Sequence, residues 1–349
     1  MEIKFGNKFI GDNHPTFIVA EMSANHDGEK NKALEMIHIA KDIGADAIKL
    51  QTYCSGSITL NTENKDFKLP SNSPWASYKN MWNLYNKGST PYDWHEDLFE
   101  EARSIDLEIF STPFDEIGID FLMDLNVPAF KIASPEINHL PLIIKACKTG
   151  KPIILSTGVA DLKDITLAIE AIRSNQSNAD IILLQCNSSY PSPYEDSNLL
   201  TLKDYKSRFN VLTGFSDHTK GIHCAIASVC LGANLIEKHF CIRGHESVDS
   251  FFSIYPDSFK QMVSNIRDVE LAVGKVSYDI SESAQQSING RRSIYVSKNI
   301  RKGELITEAN VKCVRPSHSL HPKHYEEIIG KYSKKNLKKG DRIKLDYLE

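Results

Sequence analysis

No Cys-x-x-Cys pair occurs in this chain of 349 residues, although it has seven cysteines: Cys54, Cys147, Cys186, Cys224, Cys230, Cys241 and Cys313. An odd, unpaired set reads as the reduced thiols of a cytoplasmic protein rather than as a disulfide framework. No apolar run reaches the ~18 residues that a membrane helix needs. The opening Met-Glu-Ile-Lys-Phe-Gly lacks the apolar core of a secretory signal. A cytoplasmic protein is therefore expected, with no membrane partner. An excess of one charge sign is missing too: 41 Lys and Arg face 45 Asp and Glu. Without a basic stripe, nucleic acid is not an expected partner, and any anionic substrate must find its cations locally. Low-complexity tracts and solenoid repeats are also missing. What is present is a hydrophobic content of 41%, ordinary for a globular protein with a full core. The length fits one barrel of about 250 residues plus a small companion.

Short β-branched runs alternate with amphipathic stretches, the pattern of repeated βα units. The predicted strands are Phe17–Ala20, Ala47–Gln51, Glu108–Thr112, Ala129–Ala133, Pro152–Ser156, Ile181–Cys186, Val211–Gly214 and Leu235–Phe240. Predicted helices lie between them at Asn31–Ile43, Glu96–Ile105, Ile117–Leu125, Leu140–Thr149, Leu162–Ser174 and Ile222–Leu231. Gly44 and Gly232 supply C-cap signals. Eight such strands close naturally into a (β/α)₈ TIM barrel. The rhythm breaks between Cys54 and His95, where Trp75, Tyr78, Trp82, Tyr85, Tyr92 and Trp94 cluster. So long a connection reads as a lid with some helix of its own, or as an aromatic mini-core packed on the barrel. The expected division is a barrel over 1–275, a linker over 276–290 and a small β-rich module over 291–349 with repeated Lys-Gly turns.

Barrel active sites sit at the C-terminal ends of the strands. Every predicted strand ends in polar residues there: Glu21, Ser23, Asn25 and His26; Lys49 and Gln51; Ser111 and Thr112; Lys131, Ser134 and Glu136; Ser156 and Thr157; Asn187, Ser188 and Tyr190; Ser216, Asp217 and His218; Glu237, Lys238 and His239. His218 and His239 end adjacent strands and are the metal-ligand candidates, since imidazole suits Zn, Mn, Fe or Co. Lys49 and Lys131 lie within strands, where a buried lysine is costly unless paired. They point to a phosphate or carboxylate between them, cradled by Ser134, Ser156 and Ser216. Ion pairs to Glu21 and Glu237 are the alternative, and a Schiff base on either lysine is a further one.

Six segments then become familiar together: Ala20–His26, Ala47–Thr52, Phe130–Glu136, Leu155–Gly158, Gly214–Thr219 and Ile236–Phe240. The set resembles the sialic acid synthase family over nearly the whole chain. The tail, with Val314-Arg315-Pro316, is similar to the family's antifreeze-like (SAF) domain. Within the family, Thr90–His95 and Arg315–Lys323 resemble the branch that makes pseudaminic acid. The resemblance implies condensation of phosphoenolpyruvate with an open-chain amino sugar to a nine-carbon α-keto acid, with release of phosphate. For this branch the sugar is a 2,4-diacetamido-2,4,6-trideoxy-altrose; the neuraminate and legionaminate branches are the alternatives. It implies a divalent metal on His218 and His239, manganese first, with magnesium or cobalt as alternatives. It implies phosphoenolpyruvate on Lys49, Thr112, Lys131, Ser134, Ser156 and Ser216, and the sugar on Gln51, Tyr190, Asp249 and Arg315. Glu21 and Glu136 would serve at the reacting centres. A domain-swapped homodimer is implied, with Arg315 acting in trans. Phe251 stands where relatives often carry Lys, and Ser319 where Gly is expected; both departures bear on the choice of sugar. From a different class, a non-catalytic carbohydrate-binding protein stays open.

Overall fold

The computed structural model describes residues 1–349. The chain divides into two compact units, Met1–Gly274 and Lys275–Glu349. In the first unit an antiparallel hairpin, β1 (Glu2–Phe5) and β2 (Lys8–Gly11), precedes eight parallel strands. These are β3 (Phe17–Glu21), β4 (Ala47–Thr52), β5 (Glu108–Pro113), β6 (Phe130–Ile132), β7 (Ile153–Ser156), β8 (Ile181–Cys186), β9 (Leu212–Asp217) and β10 (Leu235–His239). They hydrogen-bond in chain order, and β10 pairs with β3 to close the barrel. The expected TIM barrel is therefore present, with Ile181–Cys186 as predicted and the other strands differing by at most three residues at an end. β9 runs furthest past its predicted end, because Ser216 and Asp217 stay paired with Glu237 and Lys238 of β10. No helix is long and apolar enough to cross a membrane.

Almost every strand residue is buried, as expected of parallel strands covered on both faces. Alternate residues divide the work. One set, including Ile18, Ile48, Leu155, Leu183 and Ile236, packs outward under the helices. The other set fills the lumen in two tiers. The lower tier is apolar: Val19, Ala47, Phe110, Ala129, Ile154, Ile182, Leu212 and Leu235 cluster with Ile3, Phe5 and Ile10 of the hairpin. Phe5 reaches Phe17 and Phe110 with ring centroids 4.8 and 5.1 Å apart, so the hairpin corks the N-terminal end. Gly6, at φ 58°, permits its two-residue turn. The upper tier, two residues further along, is polar on six of the strands; β8 has Leu184 there and β9 has Gly214, with Ser216 two residues beyond. Gly214 sits between the tiers, where a Cβ would lie 2.4 Å from the Leu235 carbonyl oxygen. Two helices absent from the sequence reading complete the outer layer, Thr201–Phe209 and Pro256–Val273.

The Cys54–His95 connection does carry a helix, Met81–Gly88. It also builds a mini-core in which Leu69, Trp75 and Tyr78 pack on Ala24, Leu84 and Val248. In the second unit an exposed run of 3₁₀ turns, Glu282–Gly290, leads to the antiparallel pair β11 (Ser293–Val296) and β12 (Val311–Val314). Its own core gathers Ile294, Val296, Ile300, Ile306, Val311, Ile328, Leu337, Ile343 and Leu348. Ser319 is engaged inside this unit: its hydroxyl donates to the Ile294 carbonyl and accepts from the Ile343 N–H. That accounts for a serine there without reference to a sugar.

Candidate active site

The upper tier opens into a cavity of about 270 Å³. Thirteen of the fourteen predicted site residues line it: Glu21, Lys49, Gln51, Thr112, Lys131, Ser134, Glu136, Ser156, Tyr190, Ser216, His218, His239 and Asp249. The fourteenth, Arg315, belongs to the second unit. The strand period explains this convergence. Glu21, Lys49, Thr112, Lys131, Ser156, Ser216 and Glu237 each stand two residues after a lumen-facing apolar or glycine position, and His239 stands two after Glu237.

Several predicted strand-end residues point elsewhere, by the same parity. Lys238 pairs with Asp217 at 2.9 Å and donates to the Thr219 carbonyl at 2.5 Å, outside the lumen. Ser111 bonds Thr52 at 2.6 Å, and Thr157 donates to the Leu184 carbonyl at 3.0 Å. Asn25 donates to the Phe240 carbonyl at 2.8 Å, and His26 meets Thr90 at 3.1 Å. Burial drives His26 and His95 down to about 4, so both are neutral structural imidazoles.

Both expectations for the lysines meet in Glu237. Lys49 Nζ lies 2.8 Å from Glu21 and 3.6 Å from Glu237, and Lys131 Nζ lies 3.9 Å from Glu237. Lys49 also donates to Thr112 Oγ1 at 3.2 Å, and Ser216 donates to Glu237 at 3.0 Å. Burial favours the neutral form of every one of these groups, and their neighbours decide the outcome. Lys49 is pushed up despite burial, because Glu21 and Glu237 flank it. Lys131 is pushed down by burial, with Glu237 in opposition. Glu237 is held low against burial by Lys131 and Lys49. Burial lifts Glu21 to about 7 against the pull of Lys49. Glu136 is likewise lifted to about 7 by burial, against Lys131.

Beside the lysines lies a ring of small donors. Ser134 Oγ accepts the Gly158 N–H at 2.9 Å, while the buried hydroxyls of Ser156 and Ser188 have no protein partner. A Cβ on Gly158 would stand 2.4 Å from Ser188 Oγ and 2.9 Å from Ser134 Oγ, so a side chain there would displace both hydroxyls. Two buried cations and three hydroxyls against one firmly ionised carboxylate make a pocket for a small polyanion.

The two histidines converge, with ring centroids 5.3 Å apart. His218 Nδ1 donates to the Asn187 carbonyl at 2.8 Å, which leaves Nε2 with its lone pair. His239 is driven well below the usual range by burial, then by His218 and Lys49, and its buried Nδ1 has no partner. His218 is drawn upward: burial opposes its charge, but Cys186, 3.6 Å away, favours it. The pair therefore suits a divalent cation, at the cost of a proton on His218. No group of three or more His, Cys, Asp or Glu side chains is gathered for a metal. Two imidazoles alone leave the remaining coordination to substrate and water.

The mouth is aromatic. Tyr190 packs on His218 at 4.4 Å and on Phe252 at 4.9 Å. Trp75 reaches Tyr190 at 5.6 Å, and its indole N–H donates to the Val248 carbonyl at 2.9 Å. Trp75 thus serves both the mini-core and the cavity wall. Tyr53 and Phe252 also line the cavity and escaped the sequence reading. Phe251 is about half-exposed and packs edge-on against Trp75 and Phe252 rather than lining the cavity.

Residues 36–278 match the family model described as NeuB family, and residues 291–349 match the SAF domain. The pseudaminic acid synthase of Helicobacter pylori is 44% identical over 337 residues, 96% of this chain and 98% of that protein. That of Campylobacter jejuni strain 81-176 is 43% identical over 329 residues, 94% and 95% of the two chains. The N,N'-diacetyllegionaminic acid synthase of Campylobacter jejuni is 35% identical over 94% of this chain and 99% of that protein. Among solved structures, the N-acetylneuraminic acid synthetase of Leptospira borgpetersenii, in complex with citrate, superposes with a TM-score of 0.73 at 32% identity. The match covers 82% of this chain and 95% of that one.

Proposed function

The chain belongs to the NeuB family, and from that membership and the cavity's chemistry we propose that it condenses phosphoenolpyruvate with 2,4-diacetamido-2,4,6-trideoxy-altrose to pseudaminic acid, releasing phosphate. The observation that carries the chemistry is the convergence of two buried lysines, the unpartnered Ser156 hydroxyl and a histidine pair in one cavity. The choice of sugar rests on the gradient of identity, 43–44% to the pseudaminic acid synthases against 35% to the legionaminic acid enzyme.

In this reading Lys49 and Lys131 neutralise the phosphate and carboxylate of phosphoenolpyruvate, with Thr112, Ser134 and Ser156 donating hydrogen bonds and Ser216 turning its hydroxyl from Glu237 to join them. A divalent cation held by His218 and His239, manganese or alternatively magnesium or cobalt, would polarise the sugar aldehyde and acidify a bound water. The enol carbon adds to the aldehyde carbon, water adds at the neighbouring carbon, and the C–O bond to phosphate breaks. A proton must reach the aldehyde oxygen and another must leave the water. Glu136 and Glu21, both lifted to about 7, are able to exchange protons at neutral pH. Gln51, Tyr190 and Asp249 bind the sugar, and Arg315 completes its binding in a homodimer, acting on a partner subunit's sugar. The enzyme works in the cytoplasm.

The test is phosphate release from phosphoenolpyruvate with Mn²⁺ and each candidate sugar in turn. Turnover is expected with the diacetamido-altrose sugar and not with N-acetylmannosamine. Silence with every sugar, together with tight sugar binding, would instead mark a carbohydrate-binding protein. Activity that survives EDTA and is trapped by borohydride on Lys49 or Lys131 would replace this mechanism with a Schiff-base aldolase.

A further inference from the structure

Ser23 has φ 51°, in the left-handed region where glycine is at ease and serine is strained. It is also almost fully buried, at 1% exposure. A strained residue persists where its surroundings hold it, and such residues gather at functional sites. The Ser23 hydroxyl joins two walls of the cavity. It donates to Oδ2 of Asp249 and accepts from Gln51 Nε2 at 3.2 Å. The same amide nitrogen donates its second proton to Glu21 Oε1 at 3.0 Å. The Ala24 N–H adds a weak contact to Asp249 Oδ2 at 3.5 Å.

This arrangement uses up one end of each side chain. Both amide protons of Gln51 and one oxygen of Asp249 are committed within the protein. Gln51 Oε1 and Asp249 Oδ1 keep no protein partner, and both residues line the cavity. An amide can present either end to a ligand, so something must choose. Ser23 and Glu21 together make that choice.

We infer that Ser23 is a positioning residue for sugar specificity: its hydroxyl orients Gln51 and Asp249 as a pair of hydrogen-bond acceptors for a sugar that offers donors, such as acetamido N–H and hydroxyl groups. The inference rests on reading this cavity as the sugar site. A merely structural role is the competing account, because Ser23 also ties the turn at Ser23–His26 to the loop carrying Asp249. That loop, however, has independent ties: Ser247 donates to Asn25 at 2.6 Å, and Asn25 donates to Ser253 at 3.0 Å. Loss of the Ser23 hydroxyl therefore leaves the loop anchored.

The experiment compares wild type with Ser23→Gly and Ser23→Ala. Glycine removes the hydroxyl and relieves the backbone; alanine removes the hydroxyl and keeps the strain. Three quantities are measured: the melting temperature, KM for phosphoenolpyruvate, and kcat/KM for the diacetamido sugar and for an analogue lacking one acetamido group. The Ser23→Gly protein should melt no lower than wild type. Its kcat/KM for the full sugar should fall about tenfold or more, the analogue should lose less, and KM for phosphoenolpyruvate should stay within about twofold. Ser23→Ala should lose the same activity and melt lower. Retention of sugar kcat/KM in Ser23→Gly would overturn the inference, as would an equal loss toward both substrates. An inert wild-type protein would sink the synthase reading, and the inference with it.

Discussion

Glu136 sits at the cavity wall with one buried carboxylate oxygen that has no partner. Burial raises its folded pKa from 4.5 to about 7. The folded state then holds more protons than the unfolded one between those values, so stability falls as pH rises through that window. Glu136→Gln should remove part of this slope, at most about 1.4 kcal/mol per pH unit. Urea titrations at pH 5 and pH 8 should show the variant gaining on wild type at the higher pH; a parallel pH dependence would contradict the assignment. The two lysines are also separable. Lys49 touches two carboxylates, at 2.8 and 3.6 Å, whereas Lys131 has one at 3.9 Å. Removing Lys49 strands buried negative charge, so Lys49→Met should cost about 3–5 kcal/mol in urea unfolding. Lys131→Met should cost much less, because burial already disfavours its charge. Both should raise KM for phosphoenolpyruvate.

The hairpin β1–β2 has a clear assignment among the elements. It corks the barrel at the face opposite the cavity, with Phe5 fully buried against Phe17 and Phe110. Phe5→Ala should destabilise the protein by about 3–5 kcal/mol while leaving both KM values unchanged at temperatures where it stays folded. Loss of activity in the folded variant would show that the floor reaches the chemistry. This element also marks where sequence reading stops. The eight barrel strands were legible because short β-branched, apolar stretches alternate with amphipathic helices. The hairpin was not, since Ile3-Lys4-Phe5 and Phe9-Ile10 are too short to show a period. The polar tier was legible as a row of strand ends, but not which member of each row faces inward. Glu237, Lys238 and His239 look equivalent in sequence. Parity resolves them: if His239 is in the lumen, Glu237 is too and Lys238 is not. The ion pairs of the lysines to Glu21 and Glu237 were legible as an alternative, and the two-residue period favours them; that Glu237 serves both lysines was not. Ser23 was legible as a polar residue after the first strand, but its hold on Gln51 and Asp249 was not, since a left-handed backbone leaves no compositional trace.

At the level of the whole molecule, the sugar site is proposed to need Arg315 from a second subunit. Mixed dimers test this. A chain carrying Arg315→Ala and a chain carrying His218→Ala are each expected to be nearly inactive. If Arg315 acts in trans, mixing them restores one complete site in each heterodimer, roughly a quarter of wild-type activity after random exchange. Action in cis restores nothing.

The two-tier lumen has a consequence for kinetics. A vessel stoppered by apolar side chains at one end has a single neck. Lys49 and Lys131 lie deep in it and are nearly fully buried, at 4% and 2% exposure, while Gln51 and Trp75 are only partly covered. Two reactants sharing one neck must load in sequence, the deeper one first. Phosphoenolpyruvate should therefore bind before the sugar, and an unreactive sugar analogue should inhibit uncompetitively against phosphoenolpyruvate. Steady-state inhibition patterns read this directly; noncompetitive inhibition by the analogue would mean that the neck admits either reactant first.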